Sequence, residues 1–227
     1  MADSSRRSSL RVVTRQDERP GAERWVPEDA GVDELRAASD SCRGCELWQD
    51  ATQVVFSAGR PGAPLMLVGE QPGDHEDRVG EPFVGPAGQV LEDALDAAGI
   101  GRRDIYLTNA VKHFRFEPRG TRRIHMKPTT AHVVACHPWL RAEVEAVRPR
   151  LIVTMGATAA RAVLGRPVTI GEERGMPLAL QGLAVDRALV TAHPSSLLRM
   201  RDAEERRAAR RAFVADLRAA AELAGMR

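Results

Sequence analysis

Apolar and polar positions fall into alternating blocks along the chain. Pro64-Leu65-Met66-Leu67-Val68 is a short apolar run ending on Gly69, the pattern of a buried strand feeding a glycine-rich turn. Ile105 to Val111, Leu151-Ile152-Val153-Thr154-Met155 and Ala188 to Ala192 read as three further strands. Helical spacing separates them. Val90, Leu91, Ala94, Leu95 and Ala98 share one helical face, and Gly99 stands where a C-cap glycine belongs. After a long polar loop, a second helix runs from about Thr130 with Val133, Cys136, Leu140, Val144 and Val147 in register, and Pro149 ends it. A third helix follows Gly156. The last begins at Asp202, with Glu205 completing a capping box and Phe213, Leu217 and Ala220 turned inward. Strands alternating with helices predict a single three-layer α/β domain, its central, mostly parallel four-stranded sheet flanked by helices. Residues 1 to about 25 are polar and aperiodic and read as a tail, which leaves residues 26–227 for the domain.

In such sheets ligands bind beyond the carboxyl ends of the strands. The Leu65 strand delivers Glu70 and Gln71, the Ile105 strand delivers Asn109, and the Ala188 strand delivers His193. That convergence predicts one site. With 227 residues, 43% of them hydrophobic, the chain can bury a full core. Its formal net charge of +2 does not by itself mark a nucleic-acid binder. Lysine occurs only at Lys112 and Lys127, so positive charge is almost all arginine; this suits forked phosphate contacts and equally fits coding bias. No apolar run approaches a membrane span and the Ser/Arg-rich start lacks a secretory signal, so a cytoplasmic protein with no membrane partner is expected. The absence of an obvious exposed apolar seam suits a monomer.

An odd count of three cysteines, two of them in a Cys-x-x-Cys pair, points in a reducing compartment to metal or redox chemistry rather than a disulfide framework. Cys42-x-x-Cys45 supplies two thiolates and Cys136 a third, while His113, His132 and His137 are the available fourth ligands. Spacing alone leaves a zinc site, an iron-sulfur cluster and no metal all open.

Gly69-Glu70-Gln71-Pro72-Gly73, followed by Gly80-Glu81-Pro82-Phe83-Val84-Gly85-Pro86-Ala87-Gly88, resembles the first motif of family 4 uracil-DNA glycosylases. Leu107-Thr108-Asn109-Ala110-Val111-Lys112, Ala135-Cys136-His137-Pro138-Trp139-Leu140 and His193-Pro194-Ser195 follow in that family's order. The resemblance spans roughly residues 35 to 220. It implies a four-iron, four-sulfur cluster on Cys42, Cys45 and Cys136, with His113 standing where the family has its other cysteine; an imidazole in place of a thiolate changes the cluster's net charge. A second departure, Arg119-Gly120-Thr121-Arg122-Arg123-Ile124-His125, resembles the arginine-rich, histidine-ended loop of the X-type uracil-DNA glycosylases (UdgX), which become covalently attached to DNA through that histidine. Its counterpart here is His125.

The resemblance implies uracil-containing DNA as partner, single-stranded or double-stranded, and free uracil as product. The base leaves the stack; Asn109 tells uracil from cytosine by its amide, Phe83 offers the ring a face, and Gly69 belongs to the substrate-binding set. His193 donates to a uracil carbonyl as the leaving anion forms, while Glu70, oriented with Gln71, stabilises the cationic sugar or polarises a nucleophile. His125 then bonds to C1′ of the sugar. Arg122 and Arg123, within a basic loop that includes Arg119 and Lys127, together with Ser195 and Arg199, supply DNA contacts, and Leu197 or Leu198 is the wedge. Taken singly, each residue has a plainer reading: His125 a solvated side chain, Glu70 a turn cap, His193 a strand-ending histidine, Asn109 a turn residue and Phe83 core. Two other functions remain open, a conventional multiple-turnover family 4 enzyme and a zinc-stabilised nucleic-acid-binding module without catalysis.

Overall fold

A computed structural model describes residues 19–226. In chain order the elements are α1 (Val32–Ser39), β1 (Ser57–Gly59), β2 (Leu65–Gly69), α2 (Asp74–Val79), α3 (Pro86–Ala98), β3 (Ile105–Asn109), β4 (Phe116–Arg119), β5 (Arg122–His125) and α4 (Thr130–Val147). They continue with β6 (Leu151–Met155), α5 (Ala157–Leu164), α6 (Ile170–Glu173), β7 (Pro177–Ala179), β8 (Arg187–Thr191), α7 (Pro194–Arg199) and α8 (Ala203–Leu223). The main sheet has the order β1-β3-β2-β6-β8-β7. Its inner four strands are parallel and correspond to the four expected from the apolar runs.

The expected four-stranded sheet is corrected to six strands, because β1 and β7 pair antiparallel along its two edges. Both are only three residues long and carry no apolar run, so neither has a sequence signature. The expected polar loop before α4 likewise contains a hairpin, β4 with β5, turning at Gly120 in the left-handed region (φ 60°). Pro118 and the arginines interrupt any two-residue alternation there.

The inner strands are apolar on both faces because both are covered. Met66, Val68, Tyr106 and Ile152 pack with Trp139, Leu140 and Val144 of α4 and Ala159 and Val163 of α5. Leu65, Leu67, Leu107, Leu151, Val153 and Leu189 pack on the other side with Leu91 and Leu95 of α3 and Phe213 and Leu217 of α8. α3 closes at Gly99 in the left-handed conformation, and α8 is capped by the Asp202 carboxylate on the Glu204 and Glu205 N–H groups. Residues 1–18, most of the expected tail, lie outside the described residues. From Arg19 the chain is in place: Ala22 is buried and donates its N–H to the Ala135 carbonyl at 2.9 Å, so contact with α4 begins before the expected boundary at residue 26. No helix among the described residues is long and apolar enough to cross a membrane.

Candidate active site

The parallel strands deliver their loops to one side of the sheet, where a cleft of about 890 Å³ opens. Glu70 and Gln71 leave β2, Asn109 ends β3, Met155 to Thr158 leave β6, and His193 and Ser195 follow β8. The hairpin contributes His125, the segment before α3 contributes Phe83, and Arg199 of α7 stands at the wall. Strand register makes this possible, since β2 and β3 pair Gly69 with Asn109. A Cβ on Gly69 would sit 2.3 Å from Asn109 Oδ1 and 2.6 Å from Phe83 Cζ, so only a bare backbone lets amide and ring share the floor. Asn109 is 3% exposed, and its carboxamide has no hydrogen-bond partner among the described residues. Both its oxygen and its NH2 are therefore available to a ligand. Phe83 holds a left-handed backbone (φ 59°), which Gly88 permits: a Cβ there would lie 1.7 Å from the Phe83 carbonyl oxygen.

Glu70 accepts the Thr158 hydroxyl on one carboxylate oxygen, and its other oxygen is 3.3 Å from His125 Nε2. Burial pushes this carboxyl up, but the hydrogen bonds from His125 and Thr158 outweigh it and hold Glu70 below the usual carboxylate range. It is an anion at neutral pH. Gln71 donates to the Arg115 and Met126 carbonyls at 3.1 and 3.2 Å and accepts the Arg115 N–H at 3.2 Å. Its amide nitrogen is 3.4 Å from both ring nitrogens of His125, so it fixes where the ring sits without engaging one nitrogen in particular. The His125 side chain is 50% exposed at the mouth of the cleft.

His193 caps α7 by accepting the Ser195 N–H on Nδ1 at 3.2 Å, with Ser195 Oγ 2.8 Å from the same nitrogen. An Nδ1 that accepts carries no proton, so the neutral ring has its hydrogen on Nε2. Burial lowers the His193 pKa to about 4 despite the opposing charge of Glu70. The cleft thus pairs an anionic carboxylate with a neutral imidazole donor. That pair suits a bond whose two ends become positive and negative as it breaks.

The model for the uracil DNA glycosylase superfamily matches residues 56–218, which carry every side chain of the cleft. The chain belongs to the uracil-DNA glycosylase superfamily. It is 39% identical over 167 residues to a type-4 uracil-DNA glycosylase of Thermotoga maritima, covering 73% of this chain and 82% of that protein. Against a type-4 uracil-DNA glycosylase of Pyrobaculum aerophilum the identity is 32% over 174 residues, covering 74% and 85%. Against one of Sulfurisphaera tokodaii it is 36% over 126 residues, covering 55% of this chain and 54% of that protein.

In this glycosylase the expected DNA contacts separate. Arg122 is exposed and has no partner among the described residues. Arg123 is occupied within the protein: its guanidinium binds Asp74 at 2.5 Å and Asp77 at 2.6 Å, reaches Thr52 Oγ1 at 3.0 Å and lies over the rings of Phe114 and Phe116. It clamps the hairpin, and with it His125, to α2. Ser195 is engaged by His193 and by Arg199, whose Nη1 donates to its hydroxyl at 3.2 Å. Leu197 is buried whereas Leu198 is 51% exposed, so only Leu198 stands at the rim.

Three residues escaped sequence reasoning. Glu76 is buried and accepts the Gly73 N–H at 3.1 Å and the Gly85 N–H at 2.9 Å, binding the two glycine-rich segments together. Thr158 positions Glu70, and His75, which the sequence read alone leaves as a structural histidine, lines the cleft. Thr158 was within reach of the strand-end rule, because β6 ends beside β2 and its following loop opens into the same space.

Cys42 and Cys45 precede the matched span; they and Cys136 are buried and lie within electrostatic reach of one another. Trp139 Nε1 donates to the Cys42 sulfur at 3.3 Å, and the backbone at Leu47 and at Lys112 favours the thiolate at Cys45 and at Cys136. Burial nonetheless pushes the free Cys45 thiol up to about 11, and Cys136 upward as well. Three buried sulfurs furnished with donors suit thiolates bound to a cationic centre. His113 is 6% exposed, burial lowers it to about 4, and its imidazole has no hydrogen-bond partner among the described residues; the charge of Arg43, inside the Cys42–Cys45 loop, reaches it. A neutral, unpartnered imidazole is fit to ligate. Among the described residues no three His, Cys, Asp or Glu side chains are grouped as one metal ion requires. A single tetrahedral zinc needs its donors tightly convergent, whereas a cluster presents a different iron to each ligand. His132 is committed to Glu46 at 2.9 Å.

Proposed function

We propose that this protein excises uracil from DNA and then captures the resulting sugar through His125. The observation that carries the proposal is the placement of the His125 ring, 3.3 Å from the ionised Glu70 within the cleft that also holds His193 and Asn109. A uracil rotated out of the strand would lie over Phe83, with Asn109 reading the O4 and N3–H edge that cytosine lacks. As the bond from C1′ to the base N1 breaks, its electron pair leaves with uracil, and His193 Nε2–H stabilises the anion. Glu70 faces the positive charge left on the sugar. If the His125 hydrogen rests on Nε2, shared with Glu70, the lone pair is on Nδ1; its attack forms an N–C1′ bond, and Glu70 offsets the charge gained by the ring. The alkylated ring gives up its Nε2 proton by way of Glu70 and the uracil anion takes up one from solvent, so the sugar passes from uracil to His125 and a proton from His125 to uracil. Free uracil is the other product.

In this reading Arg122, Lys127 and Arg199 meet the phosphates of the strand, and Leu198 fills the space the base vacates. We also assign Cys42, Cys45, Cys136 and His113 as ligands of a four-iron, four-sulfur cluster. When bound, it would tie the chain near residue 42 to the segment leaving Asn109 and to α4, a structural role.

The test is a denaturing gel of the protein mixed with uracil-containing single-stranded DNA. A shifted band that survives denaturation, absent with His125→Ala, is expected. Free uracil accumulating over many turnovers without such a band refutes capture and leaves a conventional glycosylase. No uracil from any substrate, with zinc bound in place of iron and sulfide, would point to a binding module.

A further inference from the structure

Beneath the cleft, on the α4 side of the sheet, Ser57, Tyr106, Thr108, Lys112 and Glu143 are sealed from solvent, none more than 8% exposed. The Lys112 ammonium uses all three of its hydrogens, donating to Glu143 Oε2, to Thr108 Oγ1 and, at 3.0 Å, to the backbone carbonyl of Asn109. Glu143 Oε1 accepts from Thr108 at 2.8 Å and from Tyr106 at 3.1 Å, and Tyr106 also reaches Ser57 Oγ at 2.7 Å. A buried ion pair loses in desolvation much of what it gains in attraction, so a well-packed apolar pair of similar volume would stabilise the fold as well. What an apolar pair would not supply is direction. Among the described residues the one backbone group the ammonium holds is the carbonyl of Asn109, where β3 ends and the side chain enters the cleft. The same corner is tied on its other side to the neighbouring loop, Ala110 N–H to the Gly69 carbonyl at 2.9 Å and Val111 N–H to the Glu70 carbonyl at 3.1 Å.

We infer that Lys112, held in place by Glu143, is a positioning residue for Asn109: it fixes the peptide from which the carboxamide projects and thereby the alignment of uracil for bond cleavage. Because Glu143 stands on α4 two turns beyond Cys136, the placement of that helix is transmitted to the base-reading amide. The inference rests on the reading of Asn109 as the group that binds uracil, and the experiment separates the two.

Three variants of the full chain are compared with the parent: Lys112→Met with Glu143→Gln, which leaves neither charge buried alone; Asn109→Ala; and all three changes together. Thermal melting and single-turnover release of uracil from single-stranded DNA are measured for each. The charge-free pair is expected to melt within a few degrees of the parent and to release uracil about 10- to 100-fold more slowly, the loss that a shift on the order of 1 Å produces. In the Asn109→Ala background the same pair should cost less than about 3-fold more, because its effect passes through a side chain already removed. A normally melting pair with parental release, or losses that multiply in the combined variant, overturns the inference. Parental activity of Asn109→Ala alone overturns the reading of Asn109 and the inference with it. Should the charge-free pair not fold, Glu143→Asp, which keeps both charges but withdraws the carboxylate by one methylene, is expected to slow release several-fold with the same non-additivity; multiplying losses there would be equally fatal.

Discussion

Replacing Gly69 with alanine tests the architecture of the cleft with one methyl group. Gly69 does not have a positive φ, so alanine suits the strand backbone and the ladder from β2 to β3 is retained. The added carbon would stand 2.3 Å from Asn109 Oδ1 and 2.6 Å from Phe83 Cζ. Ordinary contacts begin near 3.5 Å, so the amide and the ring must each retreat by roughly 1 Å. Overpacking of this kind costs about 1–3 kcal/mol, equivalent to a fall in Tm of about 2–12 °C for a domain of this size. Activity should suffer more, since a misplacement of about 1 Å at a reacting centre costs on the order of 100-fold. The assay is single-turnover release of uracil from a labelled oligonucleotide, with thermal melting run in parallel. A Gly69→Ala protein that melts as the parent does and releases uracil within about 3-fold of it would show that Asn109 and Phe83 need not stand where they do, and the account of the cleft would be wrong.

Four further outcomes are expected. Arg123→Ala strips Asp77, which is 0% exposed, of its guanidinium and should cost about 3 kcal/mol in denaturant titrations, with faster hydrogen exchange across residues 116–125; unchanged stability would remove the clamp. Because the folded pKa of His193 is lowered to about 4, the unfolded chain takes up its proton first, so the stability tied to that ring is full above pH 6.5 and lost as pH falls toward 4, up to about 3 kcal/mol. In a His125→Ala background, uracil release should accordingly show no break near pH 6.5 and fall only below about pH 5, as His193 protonates; a break near 6.5 contradicts the buried neutral donor. Protein purified without air should hold about four irons and four sulfides per chain, and Cys136→Ala should lose them together with thermal stability, whereas zinc at one per chain would refute the cluster.

The four inner strands and the helices carrying Leu91, Val144 and Leu217 were legible in the sequence because burial on one or both faces imposes a local apolar period. The chemistry at the ends of β2, β3 and β8 was legible for a related reason, since strand ends in such sheets face one crevice. β1, β7 and the hairpin were not, because three- and four-residue strands exist only through their partners, β3, β8 and each other. The same limit applied to Arg123. A run of arginines along the chain gives no indication which one Asp74 and Asp77 have claimed, and the structure turns one expected phosphate contact inward while leaving Arg122 outside. Leu197 and Leu198 were equivalent until α7 buried one and exposed the other.

By itself the sequence determined the class of fold, the family motifs and the strand-end residues Glu70, Gln71, Asn109 and His193, because those depend on local periodicity and on residue types at fixed spacing. Only tertiary structure decided what each of them can do. Hydrogen bonds from His125 and Thr158 keep Glu70 anionic, burial keeps His193 neutral with its hydrogen on Nε2, and the missing Cβ of Gly69 admits Asn109 and Phe83 together. Charge state, tautomer and clearance arise from neighbours distant along the chain. They become defined when the strands align and the cleft closes around them.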